Sequence, residues 1–337
     1  MIVAVALLGY AAVLLTGGAG VLARAAWPER APRLAVAAWL ALTGSAVASV
    51  ALGGLALVVP TVRVSADLAG LLASCVMALR AQYAHPGGAA LAGAGTVLAL
   101  AVTARMAWCV AGTLARAGLA RRRHRSGLAV AGRHDGRLGA VVVDHHEAAA
   151  WCLPGAGRRV VLTTAAVGAL DDAGLAAVLA HERAHLRGRH HLLVSLAAAL
   201  AVAFPRVPAF RRGHEQVARL VEMCADDVAS AAAGRLTVAE ALLSLGGRAP
   251  AAALGAGGSA AGARVRRLIA GPVPLGRGRA AAGMLAIAAL TAFPVMVLAG
   301  PALAASGRDY CPHASPHSAA AHLAAHPAAC TAGSSGC

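Results

Sequence analysis

The stretch DDAGLAAVLAHERAHLRGRHH, residues 171–191, decides how this chain is to be read. Asp171 and Asp172 supply a capping start, and Leu175, Val178 and Leu179 recur at helical spacing, so the segment predicts a helix whose later turns carry His181, Glu182 and His185. Positions i and i+4 share one helix face. His181 and His185 can therefore present two imidazole nitrogens to a single Zn2+ at about 2.0–2.1 Å. Glu182 projects beside them, placed to take a proton from an attacking water and pass it to a leaving nitrogen. The bland alternative is a pair of surface histidines on an arginine-rich helix, so the motif needs support from the rest of the chain.

A catalytic zinc needs a third protein ligand and an open fourth position. Two candidates stand downstream. The string from His181 to His191 satisfies HExxHxxGxxH, in which Gly188 ends the helix and His191 returns as a ligand. Glu222 to Asp226 satisfies ExxxD, in which a second helix supplies a carboxylate, with Asp226 one turn on to accept the other N–H of a zinc-bound histidine. The charge-free run that begins at Leu192 predicts that the helix continues past Gly188, a lone glycine being tolerated inside a helix. That favours Glu222, with His191 as the alternative. Because Glu222 and His181 must then reach one ion, the run from Leu192 to Phe210 does not cross a membrane singly.

Hydrophobic residues make up 59% of the 337, and charged residues only 13%, too apolar a balance for a soluble protein. Charge-free runs at 1–23, 34–62, roughly 87–104 and 280–306 can each cross a hydrocarbon core, which takes ~20 helical residues. No basic residue precedes the first run, so it reads as a retained span and not a cleaved signal. All thirty basic residues are arginine, and against fourteen acids they leave a net charge of +16. The positive-inside rule puts loop 24–33 and segment 116–279 in the cytoplasm, with the amino terminus, loop 63–86 and tail 307–337 outside. Arg63, Arg80 and Arg308 then face out and Arg105 sits at a boundary, while the other arginines face in. The basic bias is thus a topology signal, with attraction to anionic lipid a secondary consequence. Four tryptophans and 3% aromatics leave little to stack on bases, which excludes direct nucleic-acid binding.

The expected domains are three spans in 1–115, a soluble domain at 116–279, a fourth span at 280–306 and the outer tail 307–337. In the soluble domain, 140–143 and 159–162 read as paired strands around the turn residues Pro154, Gly155 and Gly157. Thr163 and Thr164 offer caps to a following helix, 192–204 is a core or interfacial helix, 215–233 is a further helix, and 249–263 is a mobile Ala/Gly/Ser connector. Cys109, Cys152 and Cys224 are expected to stay reduced, whereas Cys75, Cys311, Cys330 and Cys337 lie where disulfides form. The tail adds His313, His317, His322 and His326, a mixture able to take up Cu or Zn, although disordered low complexity is the simpler reading.

From about residue 149 to 235 the chain resembles the BlaR/MecR antirepressor-type membrane metallopeptidases, which are related to the HtpX-like proteases. The resemblance rests on Ala150 to Gly155, Val160 to Thr164, Leu175 to Glu182 and Glu222 to Asp226. It implies a mainly α, multi-pass bacterial membrane protein with a cytoplasmic, gluzincin-type α+β domain. His181, His185 and Glu222 would be its zinc ligands, Glu182 its general base and Asp226 the residue that orients a ligand. It further implies that the strand near Trp151 to Leu153 pairs with an extended substrate, possible at any exposed sheet edge. Arg264-Val265 is similar to a segment whose arginine helps to stabilise the oxyanion. Charge alone favours Arg264, Arg266 and Arg267 as inner-face lipid anchors. Antibiotic-sensing members carry a large outer penicillin-binding domain, whereas only residues 307–337 follow the last span here, which argues against direct β-lactam sensing.

The leading expectation is an endopeptidase acting on a cytoplasmic or membrane-associated protein, such as a transcriptional repressor. The competing class is a signal-transducing membrane protein with a vestigial or structural zinc site. Glu182 argues against it, because a closed structural site uses four ligands and no base. A transporter is weaker, since the spans carry no buried acidic or histidine pair to mark an ion path.

Overall fold

The computed structural model describes residues 1–58, 77, 80, 87–155, 159–246, 254–271 and 273–306. Most of the expected outer loop, and the whole 307–337 tail with its cysteines and histidines, lie outside them. In chain order the elements are α1 (Ile2–Arg24, with a π turn at Leu14–Gly18), a 3-10 turn (Trp27–Glu29), α2 (Pro32–Val58), α3 (Gly88–Ala131), β1 (Gly132–Asp135), β2 (Ala140–Val143), β3 (Ala150–Leu153) and β4 (Arg159–Thr163). The helices α4 (Thr164–Ala169), α5 (Asp172–Arg187), α6 (His190–Ala203), α7 (Pro208–Ala233), α8 (Arg235–Gly246), α9 (Leu254–Ala270) and α10 (Arg277–Ser306) follow.

Four of these segments are long and apolar enough to cross a membrane: Ile2–Arg24, Pro32–Val58, Gly88–Arg123 and Arg277–Gly300. Helix α3 does not stop where the arginine-rich stretch begins at Arg116. Its Ala, Leu and Arg residues are strong helix formers, so it runs for 44 residues, about 66 Å at 1.5 Å per residue, and delivers the chain directly into β1. Helices α2 and α3 cross where Gly54 meets Gly95; a Cβ at Gly54 would lie 2.7 Å from the Gly95 carbonyl oxygen. Pro294 in α10 has no N–H for the carbonyl of Leu290 four residues back. That oxygen instead accepts hydrogen bonds from Tyr10 in α1 (2.8 Å) and Ser45 in α2 (2.7 Å), which ties three of the long helices together.

The sheet has the order β1-β2-β4-β3. β2 and β4 pair, as the sequence predicts, and they pair in parallel because β3 intervenes in the chain and lies antiparallel at the edge beyond β4. Strand β1 was not anticipated; its Arg-His-Asp content hides the signal, and it forms by antiparallel pairing with β2. Thr163 caps α4 through Ala166 N–H, and Asp171 caps α5 through Gly174 N–H (2.8 Å), both as their residue types predict. Leu175, Val178, Leu179 and Leu186 of α5 pack with Leu138, Val160 and Leu162 of the sheet region.

Helix α7 joins the two halves of the molecule. Its face of Val217, Leu220, Val221 and Met223 is buried with Trp39 and Leu42 of α2. The opposite carboxylates are thereby aimed at α5. Helix α6 lies beside α3, and Arg105 of α3 donates to the last carbonyl of α6, that of Ala203, as a cation suits a helix C-terminus.

Two expectations fail here. Helix α5 ends at Arg187 instead of continuing, because Arg189 takes a left-handed conformation (φ 49°) and starts a separate helix. The described part of the expected 249–263 connector, from Leu254 on, is helical. Its alanines are the strongest helix formers, and that propensity outweighs the glycines that suggested a linker.

Candidate metal centre

Helix α5 presents His181, Glu182 and His185, and α7 presents Glu222 and Asp226. Among the described residues these helices build a single cluster with three metal-capable donors: His181, His185 and Glu222, all within 4.8 Å of one another. The two Nε2 atoms are 3.1 Å apart, and they lie 3.5 Å and 3.4 Å from the Glu222 carboxylate oxygens. A tetrahedral ion with bonds of about 2.0–2.1 Å has donors about 3.3 Å apart, so this spacing fits Zn2+. His191 does not join the cluster. The continuing-helix argument for preferring Glu222 fails at the break before Arg189, but the geometry brings Glu222 to both histidines.

The charges point the same way. Burial opposes charge on His181, but the Asp226 and Glu222 carboxylates outweigh it and raise its pKa to about 9. Burial, with the charges of His181, His190 and Arg264, pushes His185 down to about 4 against the pull of Glu222. The carboxylates thus favour a positive charge at His181, the same preference that suits the donor set to a cation. His181 Nδ1 lies 3.1 Å from Asp226 Oδ1, close enough for an ion pair but off the line of a hydrogen bond. Burial raises Asp226, yet Arg264 and His181 overcome that and hold it at about 2.

Glu182 is 9% exposed and does not belong to the donor set. Burial, helped by the nearby charge of Glu222, raises its pKa against the pull of His181. It lines a cleft of about 220 Å³ together with His181, Glu222, Arg264, Ala150 of the edge strand, and Val238, Ala241, Leu242 and Leu245 of α8. The Cys152 thiol stands beside Glu182, and burial and that carboxylate push it up to about 12.

Arg264 is not a lipid anchor. From α9 it donates to both Asp226 oxygens at 2.8 and 2.6 Å and reaches Glu222 at 3.0 Å. Arg267, one turn on, pairs with Asp227 (2.8 Å) and donates to the Glu29 carbonyl (2.9 Å). Arg266 is exposed. The signal for these contacts was present: two adjacent aspartates on one helix and arginines three apart on another. His190 was also missed as a neighbour of the site. Its ring lies over Gly188, where a side chain would collide with it, and its Nδ1 sits 3.0 Å from that of His185.

Residues 119–245 match the family model of Peptidase family M48, a family of zinc metallopeptidases. The match includes α5 and α7, with all three donors and Glu182, but not α9 with Arg264. No curated protein and no solved structure matches the chain.

Proposed function

We propose that this chain is a membrane-bound zinc endopeptidase of the BlaR/MecR type that cleaves a cytoplasmic or membrane-associated protein, with a transcriptional repressor as the expected kind of substrate. The observation that carries the reading is the buried Glu182 carboxylate, outside the donor set yet lining the same cleft as His181 and Glu222, two of the three donors spaced for zinc. The four long apolar helices support membrane residence, and the arginine bias supports a cytoplasmic site.

Zinc, when held by His181, His185 and Glu222, supplies Lewis acidity to a peptide carbonyl and eases ionisation of water. Glu182, its pKa raised by burial, is the proton carrier: it takes a proton from the attacking water and delivers it to the leaving nitrogen. Asp226 is a positioning residue that fixes the His181 ring through Nδ1. Arg264 braces Asp226 and Glu222 and also lines the cleft, where its charge meets the negative charge that grows on the carbonyl oxygen. The outer edge of β3 has no strand partner among the described residues and can take an extended peptide, whose apolar side chain fits the α8 wall of the cleft.

The test is Glu182→Gln in the full chain, assayed on casein and on candidate repressors. Hydrolysis should fall roughly 10²–10⁴-fold with the zinc-to-protein ratio unchanged. A variant that keeps zinc and cleaves at the wild-type rate would return the signalling reading. The protein that accumulates uncleaved in cells carrying the variant is the substrate.

A further inference from the structure

Leu22 of α1, the Trp27 turn, Leu34 and Ala38 of α2, and the first turns of α10 line an open groove of about 500 Å³. That is within the range of about 300–1,000 Å³ typical of ligand sites. Its long axis follows α10 from Arg279 to Leu290, about 16 Å at 1.5 Å per residue. One end is cationic: Arg30 and Arg279 are exposed, and their guanidinium groups have no hydrogen-bond or ion-pair partner among the described residues. The rest is hydrocarbon, and at the deep end the Leu290 carbonyl is already taken by Tyr10 and Ser45. The wall is built in advance, since Glu29 is held by Arg219 and its carbonyl by Arg267.

We propose that this groove binds one anionic glycerophospholipid, its phosphate between Arg30 and Arg279 and an acyl chain lying along α10. An apolar protein segment would fill the groove but leave two cations unmatched, and a choline headgroup would set a third positive charge beside them. Basic pockets at the ends of membrane helices select anionic headgroups for this reason. The inference rests on the membrane-spanning reading and is independent of the peptidase chemistry.

The experiment uses the full-length protein in mixed micelles containing equal phosphatidylglycerol and phosphatidylcholine with identical acyl chains, with retained lipid counted by native mass spectrometry. The wild type should favour phosphatidylglycerol by about tenfold or more. Arg30→Gln with Arg279→Gln should bring the ratio close to one, while Arg277→Gln, outside the groove, leaves it unchanged. Ala286→Phe, which fills the groove from an exposed position, should reduce retention of both lipids. A ratio unaltered in the double variant, or displacement by glycerol phosphate without an acyl chain, overturns the site. Flotation with vesicles separates the two readings: protein that does not float removes the membrane premise, whereas protein that floats without selecting lipid removes only the groove.

Discussion

Arg264 and Arg267 on α9 and Arg30 and Arg279 at the helix ends are the same residue type in equally arginine-rich surroundings, yet the fold treats them in opposite ways. The first pair is drawn inward because α7 delivers two adjacent aspartates to it, and the Asp226 side chain, 1% exposed, is matched by a two-pronged guanidinium. The second pair meets only hydrocarbon and open surface. The difference teaches that a count of positive charges near a membrane locates a face of the molecule but assigns no role to any one arginine. A carboxylate brought from a distant element decides that.

The comparison breaks or sharpens by substitution. Arg264→Ala leaves the buried Asp226 with only His181 beside it, which should lower unfolding stability by up to about 3–5 kcal/mol, read as a drop in thermal midpoint in mild detergent. Arg264→Lys should recover only part, lacking the planar fork. A midpoint unchanged in both would erase the contrast between the pairs. Metal removal comes next: chelation of protein held at about 100 times the zinc dissociation constant should cost about 2.7 kcal/mol, restored by zinc and not by magnesium. Arg267→Ala should cost less, about 1–2 kcal/mol, because Asp227 is 40% exposed and water replaces its lost partner, while the Glu29 carbonyl loses its donor. Replacing Arg30 and Arg279 together should leave the midpoint in lipid-free detergent within about 0.5 kcal/mol of wild type. A large loss there would mean that those arginines also support the fold.

Much of the architecture was legible because its signals are local. The four apolar runs, the caps at Thr163 and Asp171, and the helix carrying His181 to His185 each depend on neighbours within a few residues. Where the reading failed, a longer-range or conformational term had won. The apolar run after Leu192 looked like a continuation of the helix that carries His181 and His185, but the left-handed Arg189 separates the two, and no periodicity reports a single backbone angle. The alanine-rich stretch after Leu254 looked like a linker because glycine was weighted above alanine. Strand β1 has no alternation of its own and exists through its pairing with β2.

By itself the sequence determined that His181 and His185 share one helix face with Glu182 one position round from it, since helix geometry fixes those angles whatever surrounds them. Only the tertiary structure chose Glu222 over His191 to stand beside those imidazoles, placed Arg264 on Asp226, and set Ala150 at the rim of the cleft. Those contacts join separate elements whose relative positions follow from packing Val217, Leu220 and Met223 against Trp39, and a docking of that kind leaves no local period in the chain.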